Sequence, residues 1–264
     1  MQHYSREKKG LKIFNLIFYL LMIGVNFLAN TKIFGQATNE EISNKYYNLF
    51  TPAGITFSIW GVIYIMLGYF VIYQLGKNGY GARKEATEKI GLWFIASCIL
   101  NGLWLFFWAF DMIGLSMITM IMLLLVLYLI YFRVYTVEAY LYNDEKKGFL
   151  LPFSLYTGWI SVATIANFAA FVKYMNWNLF NLPEALWVSI GIAVAVLVNL
   201  FFITMRKDKA FGFVGIWALA GIVYARYLDG NLMPVGYVAG IAIFLLLVFM
   251  INSHGRKSHL NYIF

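Results

Sequence analysis

Long apolar stretches separated by short polar segments run through the whole chain. Eight stretches contain no Asp, Glu, Lys or Arg, and most of them provide the roughly 20 residues that a helix needs to cross a bilayer core. Leu, Ile, Val, Phe and Met fill them without the period-two alternation typical of membrane β-strands. The pattern predicts an all-α, polytopic integral membrane protein with eight transmembrane helices, near residues 12–29, 53–75, 90–110, 113–135, 150–171, 185–205, 211–228 and 234–252.

Composition and charge placement agree with this interpretation. Of the 264 residues, 62% are hydrophobic and 12% are charged, whereas a soluble domain carries roughly twice that charged fraction. With the N-terminus inside, the inner segments hold all but four of the 20 Lys and Arg residues, the exceptions being Lys32, Lys45, Lys173 and Arg226. This asymmetry predicts that both termini are cytoplasmic, and we expect a bacterial inner or plasma membrane.

The net charge of +8 then reflects topology and contact with lipid headgroups. Binding of nucleic acid would need a contiguous basic face, which the sequence lacks, so no nucleic-acid partner is expected. The basic start and the first apolar stretch are similar to a secretory signal. No small-x-small cleavage pattern follows, which favours an uncleaved first helix; if it were removed, seven spans would remain.

Residues that carry common catalytic or metal chemistry are scarce. Cys98 is the single cysteine, which excludes an internal disulfide and a thiolate metal cluster. The three histidines, His3, His254 and His259, lie in the tails. Paired carboxylates and phosphate-binding glycine loops are absent from the sequence. We therefore expect no metal, no cofactor and no catalytic residue, and a binding role is favoured over an enzymatic one.

Charged residues near the predicted spans lie at their outer ends. Asp111, Glu184, Arg226 and Asp229 occupy such positions, where we expect water to reach them. Arg226 and Asp229 are three residues apart and predict a surface pair of little energetic value. Since ion-coupled transporters usually keep an ionisable group near the membrane midplane, proton- or sodium-coupled transport is disfavoured.

Aromatic residues recur at helical spacing in three spans. The second span has Phe57, Trp60, Tyr64 and Gly68; the third has Asn101, Trp104 and Trp108; the fifth has Tyr156, Trp159, Ala163 and Asn167. Each series forms one stripe on one helix. Large aromatic rings mixed with amides and small residues are typical of an apolar pocket with a few hydrogen-bonding groups. Helix packing explains such stripes as well, and periodicity alone leaves both interpretations open.

Three blocks within these spans carry a resemblance to a known family. They are "TPAGITFSIWGVIY" at 51–64, "LNGLWLFFW" at 100–108 and "LPFSLYTGWISVATIANF" at 151–168. In order and spacing they resemble the TspO/MBR family of tryptophan-rich sensory proteins and translocator proteins. The chain departs from the family pattern in having only Pro52 where a proline pair is usual. It also lacks the usual outer-loop pattern between 30 and 50.

The resemblance implies a five-helix transmembrane domain over residues 11–172. We expect a further three-helix region over 173–252, and cytoplasmic tails at 1–10 and 253–264. In the resembled family the five helices surround a pocket for porphyrins and other flat apolar molecules. Carried over to this chain, the resemblance implies that Trp60 and Trp159 face each other across that pocket. Ala163 would leave room for the ligand.

The resemblance thus implies a receptor or sensor that binds a flat hydrophobic ligand, porphyrin-like or sterol-like, within the bilayer. The implied ligand-binding residues are those of the three stripes, without Gly68. A transporter of such ligands, or an enzyme for oxidative or light-dependent porphyrin breakdown, is the alternative. Gly236 and Gly240, four residues apart, are typical of close helix packing and make a homodimer a further hypothesis.

Overall fold

The computed structural model describes residues 9–31, 37–76 and 81–253. Lys32 and the three histidines lie outside these ranges. Within the described residues there is no β-strand; short 3₁₀ turns cover Gly54–Ser58, Glu138–Tyr140 and Leu179–Asn181. The α-helices are α1 Lys9–Asn30, α2 Asn39–Lys45, α3 Ile59–Leu75, α4 Ala82–Ile90, α5 Trp93–Ala109, α6 Ile113–Tyr135, α7 Asn143–Phe149, α8 Leu151–Tyr174, α9 Glu184–Met205, α10 Lys209–Leu228 and α11 Val235–Asn252.

Seven described segments are long and apolar enough to cross a membrane, which confirms the all-α polytopic class. They contain α1, α3, α6, α8, α9, α10 and α11. The third predicted span corresponds to α5, which has 17 residues. It passes the same test together with α4, from which it is bent by 41°. Counting that pair as one span gives eight.

The bend between α4 and α5 follows from the local sequence. Gly91 ends α4 with φ +50°, in the left-handed region that glycine adopts most easily. The charged sequence of α4, "ARKEATEKI", suits a membrane boundary, whereas α5 is almost wholly apolar. The chain therefore turns where the sequence changes from charged to apolar.

Helix α8 is the centre of the molecule. It packs against α3, α6, α9 and α10, and its side chains are the most completely buried of any span. Gly158 permits the close contact with α10, because a Cβ placed there would lie 3.3 Å from the Cβ of Val214. Helices α9, α10 and α11 pack on one another and join the rest of the bundle through α8 and the 3₁₀ turn before α3.

Two glycines singled out from the sequence have different surroundings. A Cβ at Gly236 would lie 3.4 Å from the Cβ of Arg226 in the same chain, whereas one at Gly240 would meet no atom within 4 Å among those described. Gly236 is thus occupied by packing within the chain. The homodimer stays a prediction.

Candidate ligand cavity

A partly open cavity of about 60 Å³ lies between α3, α5, α8 and α10. Residues 48, 50, 51 and 52 of the loop before α3 line it together with α2. Its wall is almost entirely apolar. Seven of the ten side chains implied by the three stripes line it: Phe57, Trp60, Trp104, Trp108, Trp159, Ala163 and Asn167.

Four aromatic rings form a continuous series of stacked pairs, and all of them except Tyr64 line the cavity. Tyr64 stacks on Trp60 with 5.4 Å between ring centroids, Trp60 on Trp104 with 5.6 Å, and Trp104 on Trp108 with 6.3 Å. Trp159 meets Trp60 edge-on at 6.1 Å. The sequence-based expectation placed Trp60 and Trp159 on opposite sides of a pocket. In the structure their rings touch, and the space beside them is small.

Two indole N–H groups of this wall have no hydrogen-bond partner. Trp104 and Trp159 are 6% and 3% exposed, and neither Nε1 finds an acceptor within the described part of the chain. A buried donor without an acceptor costs about 1–3 kcal/mol. Two residues that line the cavity therefore each carry a buried donor without a partner in the described chain.

Below Trp60, the three stripe residues that do not line the cavity form a polar layer. Asn26 of α1 donates to Asn101 Oδ1 (2.9 Å), and Asn101 donates to the Tyr156 hydroxyl (3.0 Å). The Tyr64 hydroxyl donates to Asn26 Oδ1. Because this layer joins α1, α3, α5 and α8, Asn101 has neighbouring helices as partners. It stabilises the bundle under the cavity.

Asn167 has a different position from Asn101. It lines the cavity, and its Nδ2 donates to Ser116 Oγ of α6 at 3.2 Å. Asn167 thus bonds a neighbouring helix and also lines the cavity.

Helix α2 covers the cavity. A capping box fixes its start: Glu41 N donates to Thr38 Oγ1 (3.2 Å), and Thr38 N donates to Glu41 Oε2 (2.8 Å). Asn39 and Ser43 line the cavity, and Ile42 is the only buried residue of the helix. With so little buried apolar surface, α2 belongs to the weakly held part of the fold.

Polar contacts at the junction of α5 and α6 hold α2 in place. Trp108 Nε1 donates to the Asn39 carbonyl at 3.3 Å. Lys45 forms an ion pair with Asp111, and the Tyr46 hydroxyl donates to Asp111 Oδ1 at 2.8 Å. The side chains of Lys45 and Asp111 are 54% and 34% exposed. Ion pairs this exposed contribute little to stability because solvent screens them, so α2 is only weakly fastened at this end.

Arg226 of α10 holds the loop between α2 and α3. The expectation that water reaches Arg226 is wrong: it is 1% exposed. Its guanidinium donates to the Tyr47 hydroxyl and the Asn48 carbonyl (3.4 Å), and it pairs with Asp229 at 3.0 Å. Five donors in a rigid fork suit arginine to such a set of acceptors.

Two carboxylates secure the same loop. Tyr47 donates to Asp229, and Leu49 N donates to Glu184 Oε1 at 2.8 Å. Lys173 Nζ in turn donates to Glu184 Oε2 at 2.6 Å. Burial is the larger cause and the hydrogen bond to Asp229 the next, and together they raise the pKa of Tyr47 to about 12. The phenol therefore keeps its proton, and its role as donor, throughout the physiological pH range.

Comparison with known families decides the assignment. The family model described as TSPO-like protein matches residues 12–252. The chain belongs to the TSPO-like protein family. The match runs through all the helices from α1 to α11, including the three that the sequence resemblance left without a counterpart. This TSPO-like protein matches no curated protein and no solved structure.

In this TSPO-like protein, α10 is part of the cavity wall. Ala218 and Ile222 line the cavity, and Trp217 Nε1 donates to the Thr56 carbonyl at 2.9 Å. Gly221 lets the turn before α3 approach, since its carbonyl accepts from Ala53 N (3.0 Å) and an added Cβ would lie 2.1 Å from Thr56 Oγ1. The sequence gives no signal for this wall, because small apolar side chains are common in every span.

Other cavity residues that sequence reasoning missed lie on α2, and a signal for them exists. The motif Thr38-x-x-Glu41 before Ile42 is a capping box and indicates a helix start. Among the described residues, no group of three or more His, Cys, Asp or Glu is placed to hold a metal ion. Hydrogen bonding and aromatic stacking are the chemistry that the TSPO-like cavity offers.

Proposed function

We propose that this protein is a membrane receptor of the sensor type that binds a flat hydrophobic ligand in the cavity under α2. The observation that carries the proposal is the pair of indole N–H groups, of Trp104 and Trp159, buried without acceptors on the wall of an apolar cavity. Packing alone does not require a donor at either position. A ligand with acceptor atoms would satisfy both.

The chemistry of the wall favours one class of ligand. Stacking on an aromatic ring contributes about 0.5–1.5 kcal/mol beyond burial, and the unpaired donors require nitrogen or oxygen acceptors. A tetrapyrrole such as a porphyrin offers a flat aromatic surface with both kinds of acceptor. A sterol offers a hydroxyl but no aromatic face. We therefore place porphyrin-like ligands before sterol-like ones.

Binding of such a ligand requires the cavity to widen. It measures about 60 Å³, whereas pockets for drug-sized ligands have roughly 300–1,000 Å³. Helix α2 is the part of the wall that moves most easily, because it buries only Ile42 and is fastened by exposed polar groups. Opening at α2 would expose the stacked face of Trp104 and Trp108.

The test is a protoporphyrin titration of the detergent-purified protein, followed by tryptophan fluorescence. We expect saturable quenching. Trp104→Phe and Trp159→Phe each remove one N–H while keeping a ring, and each should weaken binding roughly five- to tenfold, the equivalent of one hydrogen bond in a buried site. Trp93→Phe and Trp177→Phe are matched controls, because both tryptophans are exposed and neither lines the cavity.

Quenching that is not saturable, or that weakens equally in the Trp93 and Trp177 controls, would overturn the proposal. The aromatic stripes would then be packing. Competition with cholesterol separates the two ligand classes. Displacement of bound protoporphyrin by the sterol would show that the site accepts both.

The stacked rings favour a second candidate, oxidative breakdown of a bound tetrapyrrole by dioxygen in light. Tyr64, Trp60, Trp104 and Trp108 form an unbroken series of stacked rings, with 22°, 27° and 28° between successive planes. An oxidising equivalent generated beside the ligand would have a path along this series. Illumination of the complex with and without dioxygen, followed by mass spectrometry, tests it. Intact protoporphyrin after illumination with dioxygen would exclude this activity and leave the binding role unaffected.

A further inference from the structure

A second cleft, of about 580 Å³, lies at the opposite end of the bundle from the cavity. It is formed where α6 and α9 end and where α8 and α10 begin, with α7 on one side. None of the stripe residues lines it. Its lining is more polar than apolar, so the lipid-facing surface of the bundle does not explain it.

Cationic side chains outnumber carboxylates in the lining of the cleft. Lys146 and Lys147 of α7 meet Arg206, Lys207 and Lys209 from the connection between α9 and α10. The carboxylates among the lining residues are Glu138 and Asp208. Glu138 lies 3.7 Å from Lys146 Nζ in an ion pair. The cleft thus brings together positive charge from two separate segments of the chain.

Asp208 faces the protein rather than a ligand. Its Oδ2 accepts from the hydroxyls of Tyr131 (2.8 Å), Tyr135 (3.0 Å) and Ser154 (2.6 Å), and its Oδ1 accepts from Phe211 N (3.0 Å) as the N-cap of α10. Asp208 is buried. Four protein donors satisfy its oxygens, which leaves the cationic groups to define what the cleft attracts.

Aromatic rings position the charge of Arg206, and Lys207 occupies an unusual turn. The Arg206 guanidinium lies over the rings of Phe132 and Tyr135, 5.2 and 5.9 Å from their centroids. The negative charge of Glu138 interacts with it electrostatically. Lys207 has φ +53°, in the left-handed region that favours glycine. A lysine nonetheless occupies this turn.

The depth of the cleft indicates its ligand. Span α9 ends at Met205 and span α10 begins at Lys209, so the cleft lies where the bilayer core gives way to headgroups. Basic pockets at this depth between transmembrane helices bind phosphate-bearing headgroups, and arginine matches phosphate geometry with two parallel hydrogen bonds. We propose that this cleft binds a phosphate group, carried by an anionic phospholipid or by a soluble molecule.

The test uses the full chain in nanodiscs and in detergent. Arg206→Gln with Lys147→Gln removes two cleft charges. Lys84→Gln with Lys89→Gln removes two charges from α4, outside the cleft lining at the same end of the bundle. Native mass spectrometry compares bound phosphatidylglycerol with phosphatidylcholine. Thermal unfolding in phosphatidylcholine nanodiscs, with and without inorganic pyrophosphate, tests a soluble ligand. Circular dichroism confirms that both variants are folded.

We expect the cleft variant to bind phosphatidylglycerol roughly 25-fold more weakly than the wild type, and the α4 variant to be unchanged, since each of the two basic residues near a headgroup contributes about fivefold. This result with no pyrophosphate effect identifies a lipid headgroup. Stabilisation by pyrophosphate that the cleft variant loses identifies a soluble phosphate. Equal losses in both variants, or no preference for phosphatidylglycerol together with no pyrophosphate effect, overturn the proposal.

Discussion

The indole of Trp159 meets the indole of Trp60 edge-on, with 6.1 Å between centroids and 83° between planes. This arrangement is one that aromatic pairs prefer. The two rings therefore already pack on each other, and a ligand in the proposed site would have to separate them or contact their other faces. Trp60 also stacks on Trp104, and Trp159 also contacts Phe57, with 6.4 Å between ring centroids.

The unpaired indoles give a stability prediction that is independent of any ligand. Trp217→Phe loses a hydrogen bond to the Thr56 carbonyl, whereas Trp104→Phe and Trp159→Phe lose none within the described chain. We expect Trp217→Phe to lower the free energy of unfolding by about 1 kcal/mol more than the other two. Reversible unfolding in mixed micelles measures this. Equal effects would show that the Trp104 and Trp159 donors are satisfied in solution.

Asp111→Asn should loosen α2 without harming the bundle. The change removes the ion pair with Lys45 and weakens the acceptor for Tyr46. Hydrogen exchange of residues 39–45 should accelerate by about two- to fivefold, the equivalent of an exposed ion pair. Glu85→Gln, which breaks the exposed pair with Lys89 on α4, is the matched control. Slower exchange in α2 would contradict the inference that the contacts of Asp111 hold this helix in place.

Gly221→Ala tests the contact between α10 and the turn before α3. The added Cβ would lie 2.1 Å from Thr56 Oγ1, so we expect a loss of about 1–3 kcal/mol in the free energy of unfolding. Adding Thr56→Ala should recover part of the loss. Gly240→Ala on α11 meets open space and should be neutral or gain up to about 1 kcal/mol from helix propensity. A neutral Gly221→Ala would place α10 further from the turn.

Phosphatidylglycerol binding at the second cleft should strengthen as the pH falls from about 7 to about 5. Burial raises the pKa of Glu138 above its ordinary value of roughly 4.3, although Lys146 opposes the shift. Protonation removes a negative charge beside Lys146, Arg206 and Asp208. Native mass spectrometry across this range measures the effect. Glu138→Gln should bind more tightly at pH 7 and flatten the profile; an unchanged slope would assign the titration to another group.

Most of the fold could be predicted from the sequence, because burial in lipid imposes long uncharged segments. The predicted bounds of the sixth to eighth spans lie within a few residues of α9, α10 and α11. The stripes also predicted seven of the cavity residues. Periodicity specifies the face of a helix but not the depth at which it meets its neighbours. Asn101 and Trp104 are therefore one turn apart but differ in role: Asn101 bonds a neighbouring helix, whereas Trp104 lines the cavity.

The remainder depends on contacts between distant parts of the chain. Arg226 has the sequence pattern of a surface arginine, and only the fold shows that residues 47–51 cover it. Helix α2 is short and polar, so no hydrophobic pattern marks it as a cover. The part of α10 that lines the cavity, Ala218 and Ile222, is indistinguishable from lipid-facing residues in composition.

The placement of Arg226 has a mechanical consequence. The segment over the cavity is tied at one end to Asp111 and at the other to α10, through Arg226 and Asp229. If a ligand enters by displacing α2, as proposed, the loop that follows α2 links that displacement to α10, because Arg226 and Asp229 both contact it. Helix α11 packs on α10. In the proposed receptor, the C-terminal helices would therefore respond to the state of the cavity.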